Sequence, residues 1–393
     1  MNHIYSERAV KLFTPGPVNI PERVHVAAML GSYHHRTPEF SSIMKDTLSM
    51  LKPLFGTENT VMPVHTTGRG ALEGIYNNVF SQGDRVICVV NGKFGEMAAQ
   101  TLRKDGMEVK EIFPGWDTPV DLDELDKAIA EYKATGLVAV FNDTSNGIIN
   151  PIDRMGEIAR KHDALFIVDD VSALACMPFK MDEWKVDAVA TASQKGLMSP
   201  VGVSFVAMND RAFAACEKNA GRDFYIDFLD IRKIVEGKGE TPGSTPVSIV
   251  LSVHEALNMI NEEGLDNVFL RHKAISEGTK SGLEALGFSL YPISWEKRSD
   301  SLTVARVPEG ISAKALTKRM CDGYRLKLGT GLGNMGDEYV RIAHMGYCYV
   351  EDMIQCISVM ECVLEEMGAK GAIGKGVKAF IDAYGETLSR GVL

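Results

Sequence analysis

The chain has 393 residues, enough for two or three domains and a core that folds without disulfide staples. Hydrophobic residues make up 45% and charged residues 24%, the balance of a globular enzyme, and a net charge of −10 argues against a nucleic-acid partner, whose phosphates are held mainly by Lys and Arg. Seven scattered cysteines without a Cys-x-x-Cys pair exclude a zinc ribbon or redox dithiol; no apolar run approaches a membrane span, and neither MNHIYSERAVKLFTPGP nor SRGVL carries a recognised leader or targeting tail, so a cytoplasmic enzyme is expected.

Through the first two-thirds, short apolar runs alternate with helical patterns. Strands are predicted at Val61–Thr66, Arg85–Val90, Glu108–Phe113, Leu137–Asn142, Leu165–Asp169, Ala188–Ala192 and Val203–Met208. Several are rich in Val, Ile and Phe without clean alternation, as strands buried on both faces should be. Helices are predicted between them at Gly70–Phe80, Gly95–Lys104, Leu122–Tyr132 and Arg154–Lys161. The alternation implies an α/β fold, a mainly parallel sheet between helices, in which ligands bind beyond the carboxyl ends of the strands. After about residue 265 the pattern changes to a helix Leu265–Leu286, strands Phe288–Pro292 and Leu302–Arg306, a helix near Ala313–Gly323, a strand Tyr339–His344 and a last helix from about Val350 to Met367. A large domain over residues 1–265 and a smaller α+β domain over 266–393 are therefore expected.

Four features sit at or just past predicted strand ends. Thr66-Thr67-Gly68-Arg69-Gly70 lies between a strand and a helix. Small residues there let the backbone approach an anion, and a helix N-terminus offers free N–H groups. It reads as a phosphate cradle or as a plain turn. Asp169 ends the hydrophobic strand of ALFIVDD. A carboxylate entering the core is costly unless it meets a cation, such as a protonated pyridine nitrogen, or caps a neighbouring turn. Asp170 points to the other face if the strand alternates. Lys195, in Ser193-Gln194-Lys195-Gly196, suits a Schiff-base lysine whose burial favours the neutral amine, although a lone loop lysine is usually solvated. A strand-end Asp, one further strand, then a strand-end Lys is the layout a pyridoxal site needs. Phe94, in NGKFG, either stacks on a flat ring or belongs to the core.

Together these segments resemble the class V, fold type I aminotransferases, specifically the alanine–glyoxylate and serine–pyruvate group. The likeness runs through FTPGPVNIPERV, HHRTPEF, TTGRGALEG, NGKFGEMA, NDTSNGIINPID, FIVDDVSAL, TASQKGLMSPVGVSFV and YVRIAHMG, roughly residues 11 to 365. It implies pyridoxal phosphate bound through Lys195, with Asp169 on the pyridinium nitrogen. It also implies that Phe94 stacks on the ring, Val171 packs on the opposite face, and Thr144 reaches the ring hydroxyl. Thr67, Gly68 and Arg69 would hold the phosphate, with Gln194 nearby. Ser244 and Thr245 match a segment that adds a phosphate contact from the partner subunit of a homodimer. Arg341 matches the arginine that binds the substrate carboxylate, and Gly16 lies in a loop closing the site. The implied reaction passes an amino group from a small amino acid to a 2-oxo acid such as glyoxylate or pyruvate. The chain departs from many relatives at Thr67-Gly68-Arg69, where they carry Ser-Gly-Thr or Ser-Gly-His, and GKGETPGSTP lacks a Tyr that some relatives have.

Other matches weaken on context. Gly331-x-Gly333-x-x-Gly336 spells a dinucleotide fingerprint but precedes a strand, and no HExxH or histidine cluster marks a metal site. A lyase of the same fold, of the cysteine desulfurase type, needs a mobile-loop cysteine, for which Cys321 and Cys348 are the candidates. A binding protein that retains the fold without catalysis is a more distant alternative. Arg36, near Tyr33, His34 and His35, either selects a second acidic group on the substrate or is structural, and Arg69 is a second candidate for the selecting role.

Overall fold

The structure is a computed structural model that describes residues 9–30, 33–221, 223–292 and 298–391. The terminal stretches searched for leader and targeting signals fall partly outside that set, at residues 1–8 and 392–393. Seven strands form the larger sheet in the order Thr60–Val64, Ser204–Met208, Ala188–Ala192, Leu165–Asp169, Gly136–Val140, Arg85–Val89 and Glu108–Ile112. Ser204–Met208 runs antiparallel to both neighbours, and the remaining pairings are parallel. The central strands Gly136–Val140, Ala188–Ala192 and Ser204–Met208 are buried throughout, which explains their unbroken apolar runs. Glu108–Ile112 sits at the edge and carries exposed glutamates, a composition that discourages further strand pairing.

Helix Lys93–Lys104 follows the parallel strand Arg85–Val89, and helix Gly68–Val79 follows Thr60–Val64, which runs in the same direction because only Ser204–Met208 between them is reversed. Their N-termini therefore open at the carboxyl edge of the sheet, where Asp169 ends its strand. Both begin two residues before the predicted positions, Gly68 against Gly70 and Lys93 against Gly95. Glycines in the first turn mask the helical pattern, because their intrinsic propensity is poor.

A second sheet of five strands has the order Lys11–Phe13, Leu326–Thr330, Tyr339–Ala343, Leu302–Arg306 and Ser289–Tyr291. The N-terminal strand Lys11–Phe13 pairs in parallel with Leu326–Thr330, so the chain's start is tied to this later sheet. A separate apolar cluster lies beneath it, built from residues such as Phe13, Leu316, Ile342, Met353 and Phe380. The helix ending at Glu366 is not the last one. After the glycine-rich break at Gly368–Gly374, a further helix spans Lys375–Arg390 and packs on Leu265–Ala285. Its apolar residues Val377, Phe380, Tyr384 and Leu388 recur at helical spacing, and Gly376 and Phe380 are fully buried. Close approach fixes the glycines opposite: a Cβ on Gly278 would stand 2.7 Å from Phe380 Cδ2. Gly331, Gly333 and Gly336 lie in the connection between two antiparallel strands, Leu326–Thr330 and Tyr339–Ala343, which is no dinucleotide turn.

Candidate active site

Asp169 pairs in register with Val140 on one side and Ala190 on the other, which holds it at the carboxyl edge of the sheet. Its side chain is 8% exposed, and its Oδ1 accepts one hydrogen bond, 2.9 Å from the Val171 N–H. Burial pushes its carboxyl up to about 6; the Val171 N–H opposes that shift and the Asp143 charge adds to it. No Lys, Arg or His among the described residues lies within ion-pair distance of it. Asp170 is fully buried on the other side, and burial followed by the Asp169 charge raises its carboxyl well above the ordinary range.

Lys195 lies in the turn after Ala188–Ala192. Ser193 anchors that turn through its N–H to Val203 O at 2.9 Å and its Oγ to Pro200 O at 2.6 Å. Gly196 is required by a close approach, since a Cβ there would stand 2.1 Å from Leu174 O. Burial drives the Lys195 ammonium down to about 8; the Asp169 charge opposes this and Arg341 reinforces it. Lys195 Nζ donates to Pro15 O. Gly16 packs directly on the lysine stem: a Cβ there would come within 2.6 Å of Lys195 Cε, and its φ of +106° lies where only glycine is at ease. The N-terminal loop thus covers the lysine.

A cavity of roughly 550 Å³, open mouth included, lies between the two helices and the sheet edge. Arg69, Leu72 and Tyr76 face it from one helix and Phe94, Met97, Ala98 and Thr101 from the other, both at helical spacing. Val140, Asn142, Asp169, Val171 and Ser172 close it from the sheet. Thr67 is the N-cap of helix Gly68–Val79, leaving the first-turn N–H groups directed at the mouth beside Arg69. Gly68 touches Val171: a Cβ there would stand 2.6 Å from Val171 Cγ2.

Arg341, on the smaller sheet, reaches across to the larger one. Its Nη1 donates to Thr144 O at 2.9 Å and its Nε to Thr330 O at 2.8 Å. Burial lowers its guanidinium to about 10, with Asp143 pulling the other way. Thr144 is buried beside Asp143. Thus Asp169, Lys195, Arg341, Phe94, Val171, Thr144, Gly16 and the Thr67–Arg69 turn lie around one region of the carboxyl edge. Ser244 is exposed and Thr245 bonds to Thr241 Oγ1 at 2.8 Å; neither lines the cavity of its own chain. Arg36 is held by Glu240 at 2.8 Å and Pro242 O at 3.2 Å, a structural anchor for that same segment. Cys321 lies on helix Ala313–Tyr324, and Cys348 is buried with its thiol pushed well up by that burial, so neither is a mobile nucleophile.

Tyr76, Asn142, Asp143 and Pro15 also belong to the neighbourhood, and sequence reading passed over them. Asn142 and Asp143 were within reach of the strand-end rule, because the strand before them stops at Val140. The donor set fits a flat cationic ring with a phosphate arm. Tyr76 Oη, Asn142 Oδ1 and Gln194 Oε1 are buried without hydrogen-bond partners among the described residues. With them stand a carboxylate lacking a cation, an amine whose proton affinity burial lowers, an aromatic ring and an open helix N-terminus.

Comparison with known proteins agrees. The family model for aminotransferase class-V matches residues 23–332. The chain is 33% identical to the serine–glyoxylate aminotransferase of Methylorubrum extorquens, covering 94% of each. It is 32% identical to the L-aspartate–glyoxylate aminotransferase of Paracoccus denitrificans, covering 96% of this chain and 97% of that one. The crystal structure of ureidoglycine–glyoxylate aminotransferase from Bacillus subtilis superposes with a TM-score of 0.90 at 27% identity, over 96% of this chain and 98% of that one. The chain is a transaminase of fold type I and belongs to the class-V aminotransferases.

Proposed function

We propose that this enzyme uses pyridoxal phosphate to move an amino group from a small amino acid, such as alanine or serine, to a 2-oxo acid, with glyoxylate as the foremost acceptor. The observation that carries the reading is Asp169: a buried carboxyl without a cation, on the wall of a cavity next to an amine whose proton affinity burial has lowered. The glyoxylate assignment follows the names of the relatives above.

When bound, pyridoxal phosphate supplies an electron sink that makes the substrate α-proton labile. Asp169 holds a proton on the ring nitrogen and keeps that sink strong. Lys195 is the covalent attachment point, and once displaced its Nζ takes the α-proton and later returns one. An amine near neutrality suits both duties. Arg341 orients the substrate carboxylate with its planar fork, fixing which bond faces Lys195. Phe94 and Val171 bracket the ring, Thr144 meets its hydroxyl, and Thr67, Gly68, Arg69 and Gln194 hold the phosphate. Gly16 lets the N-terminal loop close over the lysine.

The same reading makes the enzyme a cytoplasmic homodimer with Ser244 and Thr245 completing the partner's phosphate site. Seven unpaired cysteines support the compartment. No helix among the described residues is long and apolar enough to cross a membrane. It also divides the chain near residue 265, with Lys11–Phe13 joining the later unit's sheet. Stopped-flow absorbance tests the function. The cofactor-loaded protein should be converted by an amino acid alone and restored by glyoxylate alone. If neither alanine, serine nor related donors change the spectrum, the proposal is wrong.

A further inference from the structure

Asp143 is fully buried one residue before Thr144, and its carboxylate is saturated with donors. Oδ2 accepts from the Phe94 N–H at 2.9 Å and the Gly95 N–H at 3.3 Å. Oδ1 accepts from the Ser145 N–H at 2.9 Å and the Ser145 Oγ at 2.6 Å. Ser145 Oγ in turn accepts from the Lys93 N–H at 2.9 Å. The first three N–H groups of helix Lys93–Lys104 therefore end on Asp143 or its partner. The contact is tight enough to exclude any side chain at position 92, where a Cβ would lie 2.3 Å from Asp143 Cγ.

Capping alone does not call for this arrangement. A Ser, Thr, Asp or Asn at the N-cap satisfies a helix locally, yet the N-cap here is Gly92 and offers no side chain. The cap comes instead from a distant segment, and the next carbonyl on that segment, Thr144 O, holds Arg341 Nη1. Among the described residues no carboxylate stands within ion-pair distance of Arg341, and Asp143 is the negative charge its guanidinium feels. One short segment thus holds both parts: the Asp143 carboxylate binds the turn that carries Phe94, and the adjacent Thr144 carbonyl binds the guanidinium from the other sheet.

We propose that Asp143 is a positioning residue that sets Arg341 in register with the Phe94 turn and so governs capture of the substrate carboxylate. This rests on reading Arg341 as the carboxylate clamp. Asp143→Asn is the sharpest probe, because its NH2 must oppose the N–H donors of either Phe94 and Gly95 or Ser145. Ser145→Ala is the milder one. Both are tested as cofactor-loaded protein by titrating propionate, a carboxylate that cannot donate an amino group, against the cofactor absorbance. KM and kcat for both substrates are measured alongside, with the melting temperature of the cofactor-free protein.

Losing bonds to a charged group should weaken propionate roughly tenfold in Asp143→Asn and about threefold in Ser145→Ala. KM should rise for amino acid and oxo acid together, with kcat changing less. A cap with no role in positioning would lower the melting temperature and leave propionate binding within about twofold of the parent, which overturns the proposal. If Asp143→Asn does not fold, Ser145→Ala decides by the same criterion. Arg341→Lys separates the two layers of the argument. Unchanged propionate affinity in Arg341→Lys would refute the clamp and this proposal with it. A loss in Arg341→Lys with none in the Asp143 and Ser145 variants would refute the positioning role alone. Combined with Asp143→Asn, Arg341→Lys should cost less than the product of the separate losses.

Discussion

The two ends of the larger sheet treat a buried aspartate in opposite ways. Asp187, just before strand Ala188–Ala192, is fully buried and fully provided for. It accepts from the Phe166 N–H at 2.8 Å, Asn209 Nδ2 at 2.9 Å and Arg211 Nη1 at 3.0 Å, with Arg160 Nη2 at 3.4 Å. Asp169, at the carboxyl end of the adjacent strand, has one backbone N–H and no cation. The first arrangement stabilises the fold. The second leaves an electrostatic demand in place, and such unmet demand is what a ligand can satisfy. The neighbouring amine repeats the pattern, since Lys195 is held by a carbonyl where Asp187's arginines are held by carboxylates.

Four substitutions would break or sharpen that contrast. Lys195→Ala should cut amino transfer roughly a thousandfold or more while leaving the melting temperature of the cofactor-free protein intact. Near-normal multiple turnover would remove Lys195 from the mechanism. Asp187→Asn should act the other way, costing roughly 1–3 kcal/mol in urea unfolding because it removes the buried charge that Arg211 and Arg160 share, although Arg211 keeps Asp163. Folded Asp187→Asn should keep normal substrate constants, and an unchanged unfolding midpoint would show that the pairing adds nothing.

Asp169→Asn should stabilise the protein before cofactor is added. Its carboxyl is raised to about 6, so the folded state prefers it protonated. Stability therefore falls as pH rises from about 4 through 6, and the full penalty persists above that. The neutral amide removes the penalty, so the cofactor-free variant should exceed the parent by roughly 1–3 kcal/mol at pH 7.5, and the advantage should vanish below about pH 4. Amino transfer should fall by orders of magnitude in the same variant. A cofactor-free variant less stable than the parent at pH 7.5 would make Asp169 a structural residue like Asp187. Arg36→Ala should do least: its partly exposed pairing with Glu240 is worth about 1 kcal/mol or less. A large rise in KM confined to dicarboxylic donors would show instead that Arg36 selects substrate.

The carboxyl-edge chemistry was legible in sequence because a buried parallel strand writes itself as an apolar run, and its last residue marks the edge. That rule finds Asp169 and Lys195. It reaches Asp143 too, the first residue past the predicted strand Leu137–Asn142, but gives no sign that its carboxylate is spent on the distant helix Lys93–Lys104. Arg341 lies on a different sheet, and periodicity says nothing about which distant strand faces a strand end; the family resemblance alone named it. Tyr76 and Met97 sit at apolar positions of their helices, and periodicity does not tell a position facing the core from one where the core opens into a cavity. The helix Lys375–Arg390 was within reach, since Val377, Phe380, Tyr384 and Leu388 recur at helical spacing; its close packing through glycines 278, 282 and 376 was not.

The central claim is that the unmet demand at the carboxyl edge is a pyridoxal phosphate site with Lys195 as its anchor. Loading the protein with pyridoxal phosphate, reducing with borohydride and mapping the peptides by mass tests this without reference to any substrate. The expected result is a stoichiometric adduct on the peptide containing Ser193-Gln194-Lys195-Gly196, lost in Lys195→Ala. An adduct on another lysine with Lys195 unmodified would contradict the account.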